Sequence, residues 1–344
     1  MKMVLSILVA SLVQLPWQSA TAADALTQCL QEQLAHAADD QTVGQLKAVC
    51  RRSLDDQDNG LVSAGSVFGD TSLAGENPES AVQNRLEIEA HYEDSMFSLI
   101  PHNPNYIIVS HNFAEPNDEP FKNAFPNRDI NLEPLETKFQ ISVKVPLAKG
   151  LWDGNGDLYA AYTGRFFWQQ FNKSSSSPFR ETDHEPELWI AFNNDAELWG
   201  FRNSLIMAGL VHQSNGQAGS LSRSWNRVYA NFIIEKGNAY FSFKPWIRLS
   251  EDFDDDDNPD IEDYMGNFEL TGIYKWGTHS FSLKTRHNLN FSDSHGAAEL
   301  GWTFPLTDNL SGYVQWFNGY GESLIDYNAY SNSLGVGVKL SDWL

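Results

Sequence analysis

Basic residues are scarce: 23 Lys and Arg stand against 45 Asp and Glu, a formal net charge of −22. A nucleic-acid partner needs a basic surface, so that class is excluded. Long apolar runs are missing too. Beyond the first residues, no stretch reaches the ~18 apolar positions of a spanning helix. This excludes a helical membrane protein but not a membrane β-barrel, whose alternating strands average out to a polar-looking chain. No internal repeat of 20–50 residues is visible, which excludes a solenoid or propeller. Cysteine is nearly absent, with only Cys29 and Cys50.

The chain has 344 residues, 42% of them hydrophobic and only 20% charged, so it is neither low-complexity nor disordered. Aromatics are plentiful: 11 Trp, 12 Tyr and 21 Phe. At the N-terminus Lys2 precedes an apolar stretch from Met3 to Leu15, Pro16 breaks it, and Ala20-Thr21-Ala22 supplies small residues for cleavage. Residues 1–22 therefore read as a secretory signal peptide. In an oxidising compartment the pair Cys29 and Cys50 reads as one disulfide, within a segment, Leu26 to Arg52, that looks helical. A metal site there would lack further ligands. Residues 53–85 are rich in Gly, Ser, Asp and Asn and read as a linker or a loosely ordered arm. The expected organisation is a signal peptide (1–22), a periplasmic extension with a short helical part (23–85) and one large domain (86–344).

From residue 103 onward the period is two. Phe139, Ile141, Val143 and Val145 interleave with Lys138, Gln140, Ser142 and Lys144. Phe241, Phe243, Ile247 and Leu249 alternate with Tyr240, Ser242, Lys244, Trp246 and Arg248. Such runs are strands with one apolar and one polar face. About twelve are expected: 104–113, 136–147, 157–170, 184–194, 199–214, 224–236, 239–251, 266–276, 279–291, 296–306, 310–320 and 333–343. Many match the ~9–11 residues that cross a bilayer. Gly237-Asn238 and Gly277-Thr278 are tight turns, whereas 171–183, 214–224, 251–265 and 320–332 are long. The expected fold is all-β: a twelve-stranded antiparallel transmembrane β-barrel in the outer membrane of a Gram-negative bacterium. A soluble sandwich would not explain the signal peptide joined to such strands. The polar face carries Arg165, Lys244, Arg248, Glu269, Lys284, Arg286 and Glu299, mixed in sign. These charges would fill the lumen as a paired network rather than line a wide pore.

His212 and Ser214 share a strand face, about 7 Å apart at Cα. That face continues as Leu210, Ala208 and Ile206, while on the next strand Asn226 shares a face with Val228, Ala230, Phe232 and Ile234. Both apolar faces must look to lipid, so His212, Ser214 and Asn226 project outward, with 212 opposite 226. Polar residues there cost free energy without a reason. One reason is a nucleophile (Ser214), a base (His212) and an orienter (Asn226). The other is a set of interfacial polar residues at headgroup level, and spacing alone leaves both open. The competing functions are an interfacial serine esterase, a porin or lipid transporter, and a structural barrel that uses its loops.

His212-x-Ser214-Asn215-Gly216 followed by Ser222-Arg223-Ser224-Trp225-Asn226-Arg227 resembles the signature of the outer membrane phospholipase A family. So do Ser176-Ser177-Pro178-Phe179-Arg180-Glu181-Thr182, Asp257-Asn258-Pro259-Asp260-Ile261 and Gly319-Tyr320-Gly321-Glu322-Ser323-Leu324-Ile325-Asp326-Tyr327. The resemblance covers roughly 85–344. It implies calcium-dependent hydrolysis of phospholipid acyl esters, at either acyl position and on lysophospholipids, by a reversible homodimer. It implies Ser214 as nucleophile, His212 as base and Asn226 as third member, with the Gly216 amide in the oxyanion hole. The implied calcium ligands are Ser176, contributed by the neighbouring subunit, the Gln217 carbonyl, Ser222 and Asp257. Three positions depart from the family pattern: Gln217 stands for an Arg, Gln213 for an Asp, and Gly164 for a Gln that helps dimerisation. The stretch 251–263 carries nine carboxylates. Only Asp257 is expected to touch the metal, the others raising the local cation concentration.

Overall fold

The computed structural model describes residues 82, 85, 86, 89, 99–252, 256–307 and 310–342. The expected signal peptide, the Cys29–Cys50 pair and nearly all of the 23–85 extension lie outside the described residues. Among the described residues, twelve antiparallel strands form one sheet. They are β1 (Asn105–Asn112), β2 (Leu135–Ala148), β3 (Asp157–Trp168), β4 (Phe179–Leu198), β5 (Phe201–Ser214), β6 (Ser224–Lys236), β7 (Ala239–Leu249), β8 (Phe268–Trp276), β9 (His279–His287), β10 (Gly296–Thr307), β11 (Leu310–Tyr320) and β12 (Tyr330–Ser341). A two-residue bridge, Ile100–Pro101, pairs with β2 beside β1. Each strand pairs with its sequence neighbour, and β12 pairs with β1, so the sheet closes and no edge is left open. No helix of the described residues is long and apolar enough to cross a membrane.

The alternation read from the sequence sorts the side chains as expected. Leu188, Leu210, Val228, Phe241, Phe243, Ile247 and Leu249 are exposed on the outer wall. Tyr159, Trp189, Tyr229, Tyr240, Trp246 and Ile273 are buried in the lumen. The connections alternate as well. Positive-φ Gly237 and Gly277 make tight turns at one end, while the long loops gather at the other.

The main departure is β4. Expected over 184–194, it runs from Phe179 to Leu198, because Arg180, Glu181 and Asp183 are lumen residues rather than loop residues. Arg180 makes two hydrogen bonds of 3.1 Å to Glu136 on β2 and one of 2.5 Å to Asp326. Asp183 accepts from the Leu324 amide at 3.1 Å and Glu181 from the Ile325 amide at 3.1 Å. These partners belong to the connection between β11 and β12. That connection, expected as a long outer loop, turns inward: Ser323, Leu324, Ile325 and Asp326 are all buried. Lys138 bonds Glu322 at 2.5 Å and Ser333 at 3.1 Å, fastening the same segment from β2.

Further polar contacts fill the lumen: a hydrogen bond of 2.7 Å between His102 and Glu187, and ion pairs of Lys244 with Glu187 at 3.4 Å and Arg165 with Asp183 at 3.5 Å. Glu89, preceding the barrel in sequence, meets Lys144 at 2.7 Å. The strand content thus encloses a packed polar core, not an open channel.

Arg180→Met is expected to strip the counter-charge from two buried carboxylates, Glu136 and Asp326. Breaking a buried pair from one side costs roughly 3–5 kcal/mol. Urea unfolding in lipid vesicles, read by heat-modifiable gel migration, should move to lower urea; an unchanged midpoint would refute a structural role for this contact.

Candidate active site

Register places the site. β5 and β6 pair with His212 opposite Asn226 and Ser214 opposite Ser224. On the other side of β5, Ser214 lies opposite His184 of β4. Since Leu210 and Val228 on the same faces are exposed to the outside, His212, Ser214 and Asn226 face outward at the long-loop rim. His212 Nδ1 and Asn226 Oδ1 are 2.9 Å apart. Ser214 Oγ makes no hydrogen bond among the described residues. Serine–histidine contacts of this kind commonly tighten only with substrate.

The loop 215–223 joins the two strands and is held by one side chain. Buried Asn215 donates to the Leu221 carbonyl at 2.8 Å, and its Oδ1 accepts from the Arg223 amide at 3.0 Å and the Gln217 amide at 3.3 Å. Gly216 follows with φ +64°, a conformation costly for a side chain with a Cβ. Its amide is uncommitted among the described residues and lies two residues after Ser214. In the sequence Asn215 stands only as a member of the motif, and the Asn-Gly step is the local signal of its role in the loop.

Gln213, between His212 and Ser214, points into the lumen. There its Oε1 accepts from Trp225 Nε1 at 2.8 Å and from Arg227 at 3.1 Å. Gly164, between Ile141 and His184 on the outer wall, lies under the Phe166 ring, which would come within 2.9 Å of any added Cβ. Beside it Tyr162 and His184 are joined at 2.5 Å.

The implied calcium ligands are brought together only in part. Ser222 Oγ donates to Asp257 Oδ2 at 2.5 Å, and the Gln217 carbonyl on the same loop takes no hydrogen bond among the described residues. Ser176, with φ +61°, lies in the β3–β4 connection, and among the described residues no hydrogen bond joins it to Ser222 or Asp257. No cluster of three or more His, Cys, Asp or Glu side chains gathers as a metal site among the described residues. A hydroxyl, a carboxylate and a carbonyl are hard oxygen donors of the kind calcium takes, yet three fall short of its six to eight. The residues fit calcium if water or a second chain completes the set.

The acidic stretch is more structural than expected. Asp256 pairs with Arg248 at 2.6 Å, Asp260 accepts from Tyr327 at 2.5 Å, Glu262 accepts from Asn267 at 2.5 Å, and Glu251 accepts from Asn226 at 2.9 Å. Burial, and then the Asp260 carboxylate, push the Tyr327 phenol up from its ordinary value. Asn258, fully buried, accepts from the Ser224 amide at 2.9 Å and so ties this stretch to the start of β6.

A closed barrel with a hydroxyl, an imidazole and an amide aligned on its lipid face belongs to the class of outer-membrane β-barrel proteins with a surface-exposed polar site. Comparison with known proteins narrows the class. The family model for phospholipase A1 matches residues 82–340. The phospholipase A1 of Salmonella typhimurium is 40% identical over 249 residues, 72% of this chain and 83% of that protein. The phospholipase A1 of Escherichia coli K12 is 39% identical over 251 residues, again 72% and 83%. The crystal structure of the Salmonella typhi outer membrane phospholipase dimer with bound calcium superposes with a TM-score of 0.67 at 38% identity, over 73% of this chain and 94% of that one. Outer membrane phospholipase A from Escherichia coli superposes equally well, over 72% of this chain and all of the other. The chain belongs to the phospholipase A1 family, and it is an outer-membrane protein.

Replacing Asn215 by Ala should release the 215–223 loop while leaving the barrel intact. Each lost bond to a buried group contributes about 1–3 kcal/mol. Limited proteolysis should nick this loop in the variant and not in the parent, with an accompanying fall in esterase rate; equal resistance in both would refute the role.

Proposed function

We propose that this chain hydrolyses the acyl ester bonds of phospholipids, including both positions and lysophospholipids, in a calcium-dependent reaction carried by Ser214, His212 and Asn226. The observation that carries the reading is the 2.9 Å His212–Asn226 hydrogen bond on the lipid-facing wall, two residues from an outward serine. A passive wall has no use for such a pair, and a transporter would need a lumen less filled with ion pairs.

In this reading Ser214 Oγ attacks the ester carbonyl carbon as its proton passes to His212 Nε2. Asn226 Oδ1 holds the Nδ1 proton and keeps the ring in the tautomer with a free Nε2. The carbonyl oxygen becomes an oxyanion beside the Gly216 amide. When the tetrahedral centre collapses, the C–O bond to the glyceryl oxygen breaks and His212 returns the proton to that oxygen. Water, deprotonated by His212, then hydrolyses the acyl–Ser214 ester, releasing the fatty acid and restoring the serine. Ser222, Asp257 and the Gln217 carbonyl would hold calcium, and the bound ion would supply positive charge near the ester carbonyl. The substrate enters sideways from the membrane, because the site lies on the outer wall.

The Salmonella typhi relative is a dimer with bound calcium. By analogy this chain works as a reversible homodimer, with Ser176 of a second copy completing the oxygen set. Gly164 offers no side chain to hold two copies together without metal, so calcium and assembly are linked.

Ser214→Ala should abolish hydrolysis and fluorophosphonate labelling with heat-modifiable migration unchanged; more than trace activity would disprove the nucleophile. Asn226→Ala should lose less, since an orienter contributes less than the attacking atom. In detergent with chelator the protein should be chiefly monomeric and inactive. Crosslinking yield and esterase rate should rise together across a calcium titration; full activity in a species that stays monomeric would refute the shared site while leaving the three residues in place.

A further inference from the structure

Asn226 opposes Leu249, the last residue of β7, across the β6–β7 pairing. Glu251 follows two residues later and so continues the outward parity of Leu249 beyond the strand end. Its Oε1 accepts a 2.9 Å hydrogen bond from Asn226 Nδ2. Among the described residues Glu251 makes this one hydrogen bond and no ion pair. The other described carboxylates of the stretch that bear on the site are committed elsewhere, Asp256 to Arg248, Asp257 to Ser222 and Asp260 to Tyr327.

We propose that Glu251 is a positioning residue for hydrolysis, a fourth member of a Ser214–His212–Asn226–Glu251 chain that fixes the amide of Asn226 and through it the tautomer of His212. The proposal rests on the catalytic reading of the three residues given above.

The argument is one of donors and acceptors. An Asn amide is nearly symmetric in shape, and turning it over exchanges a donor for an acceptor. With Oδ1 toward His212, Nδ1 must carry the proton and Nε2 is free to act as base. With Nδ2 toward His212, Nδ1 must accept, Nε2 carries the proton, and the ring cannot take one from Ser214. An ionised carboxylate is acceptor-only, so Glu251 permits only the first arrangement. Its charge also lies one residue away from the imidazolium that forms during attack, which favours that ion. An aspartate in place of Asn226 would do both tasks at once, but only by setting a charge on the lipid-facing strand, where it is costly. Placing the carboxylate just past the end of β7 leaves the charge at the rim and a neutral amide on the wall.

The test uses the full-length protein in mixed micelles at saturating calcium. Glu251→Ala should lower kcat by about tenfold to a hundredfold, the rate equivalent of one charge-assisted hydrogen bond, with KM and the calcium midpoint unchanged. Glu251→Gln, whose amide oxygen can still accept from Asn226 but which lacks the charge, should restore part of the rate. In an Asn226→Ala background, Glu251→Ala should cause no further loss, because the residue it acts through is gone. Heat-modifiable migration checks folding of each variant, and Glu251→Gln with the double variant carries the decision if Glu251→Ala folds poorly. An unchanged kcat, or losses that multiply in the double variant, would overturn the proposal. So would a loss that extra calcium repairs, which would make Glu251 a metal ligand. Ser214→Ala is the control: if it stays active the catalytic reading itself fails, and if it is dead while Glu251→Ala is unaffected only Glu251 falls.

Discussion

A closed antiparallel sheet leaves every side chain two choices, lipid or lumen, and register makes the choice for a whole strand at once. The site depends on this. A slip of one residue between β5 and β6 would set His212 opposite Trp225 or Arg227, which point inward, and the pairing with Asn226 would be lost. What prevents the slip lies on the other side of the same two strands. Gln213, alternating with His212 and Ser214, gathers the Trp225 indole and the Arg227 guanidinium, and Arg227 lies 3.9 Å over the Trp225 ring. A neutral Gln serves two donors here without adding charge to a crowded lumen. The inner face of the hairpin therefore sets the alignment that the outer face uses.

The same logic extends to the loops. The site's long-loop rim stands on the inward-turned segment between β11 and β12. Arg180, Asp183 and Glu181 of β4 and Lys138 of β2 hold that segment from far away in sequence, and Tyr327 at its end reaches Asp260, while the Arg223 guanidinium lies 5.7 Å over the Tyr327 ring. The loop 215–223 and the stretch 256–267 thus rest on one buried support. Buried ion pairs contribute little net stability because desolvation offsets their attraction. Their value here is positional: few other arrangements satisfy so many charges in one lumen.

Period-two alternation made the barrel legible in the sequence, and parity along β5 and β6 was enough to put His212, Ser214 and Asn226 on one outward face. Polarity misled where charges were buried. Arg180, Glu181 and Asp183 read as loop residues because their partners Glu136, Leu324, Ile325 and Asp326 are far away in the chain, and no local pattern announces a contact across 141 or 146 positions. The acidic stretch misled in the opposite way. Its count of carboxylates suggested a diffuse cation reservoir, whereas several of them have one definite protein partner. For Asn215 and Glu251 likewise, the sequence shows the type of residue but not its hydrogen-bond partner.

The outer wall shows how a polar site survives against lipid. A hydroxyl, an imidazole and an amide facing hydrocarbon would each carry a desolvation cost. Position reduces that cost, since all three lie near the rim where β5 ends and β6 begins. Mutual bonding reduces it further, because His212 Nδ1 bonds Asn226 Oδ1 and Asn226 Nδ2 donates to Glu251. On the outer face at the site, the formal charge lies beyond the strand ends, on Glu251 and on Asp257 next to Ser222. Reactivity toward a membrane ester then requires no ionised group on the lipid face until the proton leaves Ser214. In the proposed reaction the imidazolium and the oxyanion would arise side by side and offset each other, between the Glu251 carboxylate on one flank and the oxygen atoms of Ser222, Asp257 and Gln217 on the other.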